Sequence, residues 1–377
     1  MKLIKKGLPV LLMIFSALLA LLVCFFIFLL MASPGKPEPF LNGDGKPLKG
    51  SISEKVFVNI GGVTQGMFIR SKNTNHPVLL YVHGGPAFPN YFLVDKYKPG
   101  LEDYFTVCYW EQRGGGLSFT PQVTVQSMTF AQLAADAIDV ARYLRNRFGK
   151  DKIYLLAHSG GTPIALLAVA GAPQLFHAYI AMAQITDAIE SEKMAYRYML
   201  EEYGARGDKK AVKELLAYDV LQADSGAVKF FKSALRDRAM HELGVGTMRG
   251  MKSVFWGVFI PVWKCRAYTL GEKIAIWKAK ISFLPKTGIL DELCANDFAA
   301  RVPSLEVPIY FMSGKYDLTV NIDLARAYFK KMRAPLKGFY TFEKSAHSPL
   351  FEEPDRFMEI VRKDVLPGRN DLADRKI

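Results

Sequence analysis

Cysteine is scarce in this chain, four residues in 377, and the scarcity excludes a disulfide scaffold. Cys24 lies inside an apolar run, so an odd three remain, Cys108, Cys265 and Cys294. A single bridge between Cys265 and Cys294 stays open, and Cys108, in an apolar strand-like run, reads as an inert buried thiol. Low-complexity tracts and repeats of fixed period are missing, which removes solenoids and propellers. Acidic residues are outnumbered, 36 against 49 basic, leaving a formal charge of +13 that would suit anionic headgroups or cell-surface polymers. Charge is missing altogether between Gly7 and Gly35. What is plentiful is apolar surface: 50% hydrophobic and 12% aromatic residues suffice for a large buried core, as one large domain or two ordinary ones.

The charge-free stretch predicts a membrane segment. As a helix, Leu8 to Met31 would extend roughly 36 Å at about 1.5 Å per residue, enough to cross a bilayer with some tilt. The apolar core of a cleaved signal peptide usually has only about 7 to 15 residues. Residues 1–35 therefore read as an uncleaved signal anchor, with a cleaved signal peptide and a secreted protein as the alternative. Val23 before Cys24 is too large for a lipoprotein cleavage site. Lys2, Lys5 and Lys6 precede the segment and only Lys36 closely follows it, so the expected topology is a single pass with a cytoplasmic N-terminus. The rest of the chain would be extracytoplasmic, where nucleic acid is not an expected partner.

A Pro/Gly-rich linker occupies residues 36–50. "KVFVNIGGVTQGMFIRSKN" alternates around Gly61-Gly62 as a β-hairpin would. "HPVLLYVHGGP" and "YFTVCYWEQRGGG" are apolar runs that end at glycines, "KIYLLA" is a further strand, and the helical spacing of "MTFAQLAADAIDVARYLRNRFG" separates the last two, ending at Gly149 as a C-cap. Buried strands alternating with helices predict an α/β fold, a mostly parallel sheet with helices on both faces. Residues 51–185 form its first part. From about Thr186 to Val302 the pattern is helical, an inserted cap over residues 186–302, and the sheet resumes within 303–377. Inside the cap, "MKSVFWGVFIPVWKCRAYTL" is rich in aromatics and too short to span a bilayer, which leaves a pocket lining or an interfacial patch.

Ser159 sits in "IYLLAHSGGTPIALL", between a strand and a helix, flanked two residues away by Ala157 and Gly161. A nucleophile elbow needs small residues there because the chains crowd. By itself the loosened pattern is expected about once by chance in a chain of this length, and an N-cap serine would look the same. The order of residues downstream adds weight. A serine nucleophile needs an imidazole to take its proton and a carboxylate to orient the imidazole, following in the order acid, then histidine. Asp317 follows the strand "PIYFMSG", and His347 follows the strand "GFYTF", both at strand exits where an open sheet places its site. Asp323 is the nearest downstream alternative to Asp317. Of six histidines, only His347 follows Asp317 in a loop. An oxyanion hole would take backbone N–H groups from Gly85, in "HGGPAFPN", and from Gly160. No metal or organic cofactor is expected.

With "HGGP" at His83 to Pro86, "EQRGGGLS" at Glu111 to Ser118, "AHSGG" at Ala157 to Gly161, "GKYD" ending at Asp317 and "AHSPLFEEP" around His347, the chain resembles the α/β-hydrolases. Within them it is similar to the proline iminopeptidase-like branch. The resemblance runs from about Lys55 to the end, the cap excepted, and implies a serine triad, a helical cap and cleavage of an N-terminal proline or a related small amide or ester. Relatives that cleave proline usually carry Gly-Gly-Ser-Trp-Gly at the elbow and Asp-Gln-Arg-Gly in the second motif, where this chain has Ala157, His158, Gly160 and Glu111. Their amine-binding cap glutamates have only positional counterparts here, Glu190, Glu192, Glu201 and Glu202, for which a solvated helix face is the competing reading. The expectation is a membrane-anchored serine hydrolase acting on a small molecule or short peptide. A carboxylesterase or lipid-directed hydrolase is the alternative, and a silent ligand-binding module a second.

Overall fold

The structure, a computed structural model, describes residues 2–375. Helix α1 (Lys2–Met31) projects from the rest, its side chains from Leu11 onward almost all exposed. Among the described residues it is the one helix long and apolar enough, over Leu11–Met31, to cross a membrane, a description that a signal sequence also meets.

Eight strands make one sheet: β1 (Ile52–Ile60), β2 (Val63–Ser71), β3 (Val78–Val82), β4 (Thr106–Trp110), β5 (Ile153–His158), β6 (Phe176–Met182), β7 (Ile309–Gly314) and β8 (Lys337–Phe342). Their spatial order is β1-β2-β4-β3-β5-β6-β7-β8. The β1–β2 hairpin closes through Gly61 and Gly62, both at positive φ as a tight hairpin turn demands. It joins β4 antiparallel, and every later pairing is parallel. The apolar runs alternate between two buried faces. Ile153, Leu155 and Ala157 of β5 enter one core while Tyr154 and Leu156 enter the other. Helices α3 (Phe130–Phe148), α4 (Gly161–Gly171) and a helix at Ile322–Lys331 cover the first face, and α2 (Tyr91–Tyr97) and the C-terminal helices cover the second.

Local sequence fixes these helices. Thr129 caps α3 by accepting from the Gln132 N–H at 3.1 Å, Gly149 ends it in the left-handed conformation, and Phe130, Leu133, Ala137, Val140, Ala141 and Leu144 form its buried stripe. Beside that stripe, buried Asp136 takes two hydrogen bonds from Arg113, at 2.7 and 2.8 Å, one from Gln65 at 2.8 Å and one from Gln132 at 2.9 Å. Four donors offset the cost of burying this carboxylate; removing either charged partner would cost about 3–5 kcal/mol. The pair fastens the "EQRGGG" segment to α3.

Between β6 and β7 the chain is helical from α5 (Ala188–Ala205) through α6 (Ala234–Leu243) and α7 (Leu270–Lys278) to Arg301. Its α5–α6 portion has a small core of its own around Tyr196, Met199, Phe230 and Met240. The bridge left open between Cys265 and Cys294 does not form: both thiols are free. Cys265 is buried in the core on the α2 face, and Cys294 packs against the other core.

Candidate active site

Parallel order reverses at β3, whose neighbours are β4 on one side and β5 on the other. At such a switch point the loops leaving the strands diverge and open a crevice. The loop after β3 begins with "HGGP", and β5 turns into α4 through "HSGG". Ser159 stands between β5 and α4 at φ +52°, a left-handed conformation that costs a non-glycine residue about 1–3 kcal/mol. The turn is held from both sides: the Ser159 N–H donates to Met182 O at 3.0 Å, and the Thr162 N–H and hydroxyl donate to Ser159 O at 2.7 and 2.6 Å. The small-residue demand has a visible cause. A Cβ on Gly161 would strike the Val82 and His83 carbonyls, and one on Gly160 would stand 2.7 Å from Pro86 Cδ and 3.0 Å from Gly85 N.

His347 and Asp317 meet across the exits of β7 and β8. Asp317 Oδ2 lies 2.9 Å from His347 Nδ1, both side chains nearly inaccessible, and Asp317 Oδ1 accepts the Val320 N–H at 2.9 Å. The loop carrying His347 is braced by the two glutamates of "FEEP". Glu352 accepts from the Ala346, Ser348 and Arg249 N–H groups at 2.9, 3.2 and 2.7 Å, and Glu353 accepts from the Lys344 N–H and the Ser345 hydroxyl. The helical insertion reaches both loops as well, through Leu318 N to Val245 O and His347 N to Gly246 O. His158 donates through Nε2 to His347 O at 2.9 Å, its ring 4.8 Å from the His347 ring. Burial pushes the His158 imidazole down to about 3, so it is neutral at ordinary pH.

The glycine loop is shaped by His83 and Gln112. His83 Nδ1 donates to Gly84 O at 2.9 Å while Nε2 accepts the Gln112 N–H at 3.1 Å, and Gln112 bonds His83 O and the Ala87 N–H. Burial lowers the His83 pKa to about 4, which keeps this donor–acceptor pattern fixed. Gly85 takes φ +67°, and its N–H and that of Gly160 donate to no protein oxygen among the described residues. Two cavities meet at this point. One of about 250 Å³ is lined by Gly85, Ser159, Gly160, Arg236, Asp237 and Lys280, among others. The other, about 190 Å³, is bounded by Ser159, His347, Gly85, Val254, Val258 and again Lys280.

The alpha/beta hydrolase fold family matches residues 77–354 of the chain, nearly three quarters of it. The chain belongs to the α/β-hydrolase family. Within it, this hydrolase falls in the proline iminopeptidase-like branch. It is 32% identical over 317 residues to the probable aminopeptidase YbaC of Bacillus subtilis, covering 84% of this chain and 98% of that one. It is 24% identical to a proline iminopeptidase of Saccharolobus solfataricus, over 79% of this chain and 86% of the other. The crystal structure of a proline iminopeptidase-related protein from Thermus thermophilus shares the fold with a TM-score of 0.54 at 22% identity, covering 83% and 96% of the two chains.

In this hydrolase the five residues singled out from sequence gather around the crevice: Ser159, Gly85 and Gly160 line one cavity, His347 joins Ser159 and Gly85 in the other, and Asp317 stands behind His347. Asp323 is elsewhere, exposed and paired with Arg326. The glutamates divide. Glu190 and Glu202 pair with Arg197 and Arg206 at the surface, and Glu201 is exposed. Glu192 departs from the solvated reading: it is buried, and Arg236 donates to it from Nε and Nη2 at 3.1–3.2 Å. Sequence reasoning missed Arg236, Asp237 and Lys280, which line the cavities from the insertion, because a basic or acidic residue on a helix carries no mark of the cavity it will face. It also missed the bracing role of Glu352 and Glu353, although both lie within the motif around His347.

Proposed function

We propose that this α/β-hydrolase is a membrane-anchored serine hydrolase cleaving a small amide or ester, with residues 186–302 as its cap. The observation that carries this reading is the strained Ser159 at the strand–helix turn, sharing a cavity with a His347 whose far nitrogen is held by Asp317. Ser159 Oγ attacks the substrate carbonyl while His347 Nε2 takes its proton, and Asp317 steadies the resulting imidazolium through Nδ1–H. The carbonyl oxygen becomes an oxyanion received by the N–H groups of Gly85 and Gly160. His347 then protonates the leaving amine or alcohol, and water, activated by the same imidazole, frees the acyl group.

Two features bear on the substrate. The relatives' names, aminopeptidase and proline iminopeptidase, favour a substrate with a free N-terminal amine, and Asp237, which lines the Ser159 cavity about half exposed with Arg236 Nη1 3.4 Å from one of its oxygens, has its other oxygen to offer such an amine. The apolar cavity walls, including Val254, Val258 and Phe92, favour the carboxylesterase alternative. The proposed topology places α1 across the membrane and the catalytic domain outside the cytoplasm.

A fluorophosphonate probe should label the purified protein at one site, and Ser159→Ala should lose both labelling and hydrolysis while keeping its circular dichroism. Labelling of that variant at the wild-type rate would remove Ser159 from the mechanism. A panel of aminoacyl and short-acyl chromogenic substrates then separates peptidase from esterase.

A further inference from the structure

The aromatic stretch in the insertion is neither wholly pocket lining nor wholly surface. Phe255–Phe259 and Ile260–Lys264 form one helical segment, and α7, continued by Ala279–Phe283, forms another. The two meet through Phe259 and Trp277, ring centroids 5.1 Å apart, and bury Val262 and Ile276 beneath. Their outer sides remain bare: Trp256 is 69% exposed, Phe255 49%, Ile274 52% and Ile281 70%. Ile274 and Ile281 stand seven residues apart on one helical face. A cluster of large apolar side chains left in water marks a surface that something covers.

What covers it is indicated by where α1 enters the domain. The chain just past its end is fastened to this same pair of segments. Buried Lys273, the residue before Ile274, donates to Ala32 O at 3.2 Å, Ser33 Oγ at 2.9 Å and Trp263 O at 2.8 Å. One step on, Gly35 N–H donates to Arg266 O at 3.1 Å, and Pro34 bridges Thr269. The apolar helix therefore leaves the domain beside the apolar patch. Exposed Lys252, Lys264 and Lys278 stand near the patch in sequence, a composition suited to anionic headgroups. The inner side of the first segment supplies Val254 and Val258 to the cavity that holds Ser159 and His347, and Lys280, next to Ile281, lines it too.

We propose that the face formed by Phe255, Trp256, Ile274 and Ile281 lies in the headgroup and upper acyl region of the bilayer that α1 crosses, so that the Ser159 cavity opens against lipid. The inference rests on the anchored reading of α1 and deepens it: the domain is docked on the membrane, not held away from it on a tether, and amphiphilic substrates partitioned into the lipid surface reach the cavity directly.

The test uses the full chain in phosphatidylcholine–phosphatidylglycerol vesicles whose acyl chains carry bromine near the headgroup. Flotation reports the anchor, and quenching of tryptophan emission reports the cap. Trp256→Phe keeps an apolar aromatic ring at this position and should lose roughly half of the quenching or more, because Trp110 is buried in the core and Trp263 and Trp277 are half-buried. Adding Ile281→Trp to that variant should restore it. Ser159→Ala should quench like the wild type, which separates this readout from catalysis. Flotation with equal quenching in the wild type and Trp256→Phe would overturn the docked cap and leave the anchor standing. A chain that does not float would overturn the anchored reading and the docking with it.

Discussion

Asp317→Asn exchanges one oxygen for nitrogen without changing shape, and the effect is decided by the two donors that surround Asp317. The wild-type carboxylate accepts from Val320 N–H at Oδ1 and from His347 Nδ1–H at Oδ2, each at 2.9 Å. An asparagine can satisfy only one of them. If its oxygen keeps Val320, its NH₂ faces His347 Nδ1, and the imidazole must shift its proton to Nε2, the nitrogen that accepts from Ser159 in the proposed mechanism. If it flips to keep His347, its NH₂ faces the Val320 N–H, leaving two buried donors opposed at a cost of about 1–3 kcal/mol each. The backbone thus selects the unproductive tautomer. The expected loss is about 10⁴ in turnover, equivalent to roughly 5.5 kcal/mol of transition-state stabilisation at about 1.4 kcal/mol per decade. The rate of fluorophosphonate labelling measures this without knowledge of the natural substrate, and circular dichroism checks the fold. A variant labelled within tenfold of the wild type would refute the argument and move the orienting role to another carboxylate.

Two more expectations come from close contacts. Burial pushes the Glu111 carboxyl from 4.5 up to about 8, against opposing hydrogen bonds from Tyr268 and the Leu117 N–H. The native state therefore holds a proton that the unfolded chain has lost between those values, so Glu111 makes stability fall as pH rises through that window, by roughly 1.4 kcal/mol per unit at the steepest. Glu111→Gln should flatten that part of the melting-temperature profile, and an unchanged slope would count against it. Gly161→Ala would press a methyl group into the Val82 and His83 carbonyls, costing about 1–3 kcal/mol and displacing the glycine loop. A lowered melting temperature should accompany slower fluorophosphonate labelling, and wild-type values of both would disprove the crowding.

The parts of this molecule that are legible in the sequence are those decided locally. Apolar runs ending at glycines mark the strands, Gly61-Gly62 the hairpin, Gly149 a helix end, and the order Ser159, Asp317, His347 the gathering of side chains at the crevice. Each signal lies within a dozen residues or in chain order. The helical insertion is different. Glu192 sits on a helix with the spacing of a solvated residue, and only the packing of α6 brings Arg236, 44 positions away, against it. Lys273 looks like one charge among 49 basic residues, yet it is buried and bonded to residues 240 positions earlier. The cysteines carry no spacing pattern, so the sequence leaves open a pairing that the structure does not form.

The hold of Lys273 on Ala32 and Ser33 joins segments that lie far apart in the chain. A leader-removing protease needs an extended, accessible backbone at the bond it cuts, and here the chain between the apolar helix and the linker is pinned by the hydrogen bonds of one ammonium group and by the strand-like bridge of Pro34 to Thr269. Lys273 arrives more than two hundred residues after the segment it clasps. Until that residue is made these hydrogen bonds cannot form, and the folded chain has them. A substitution at Lys273, far from any cleavage motif, should therefore loosen this junction, and faster cutting of the folded variant by added protease between the first helix and the linker would show it, whereas an unchanged rate would count against it.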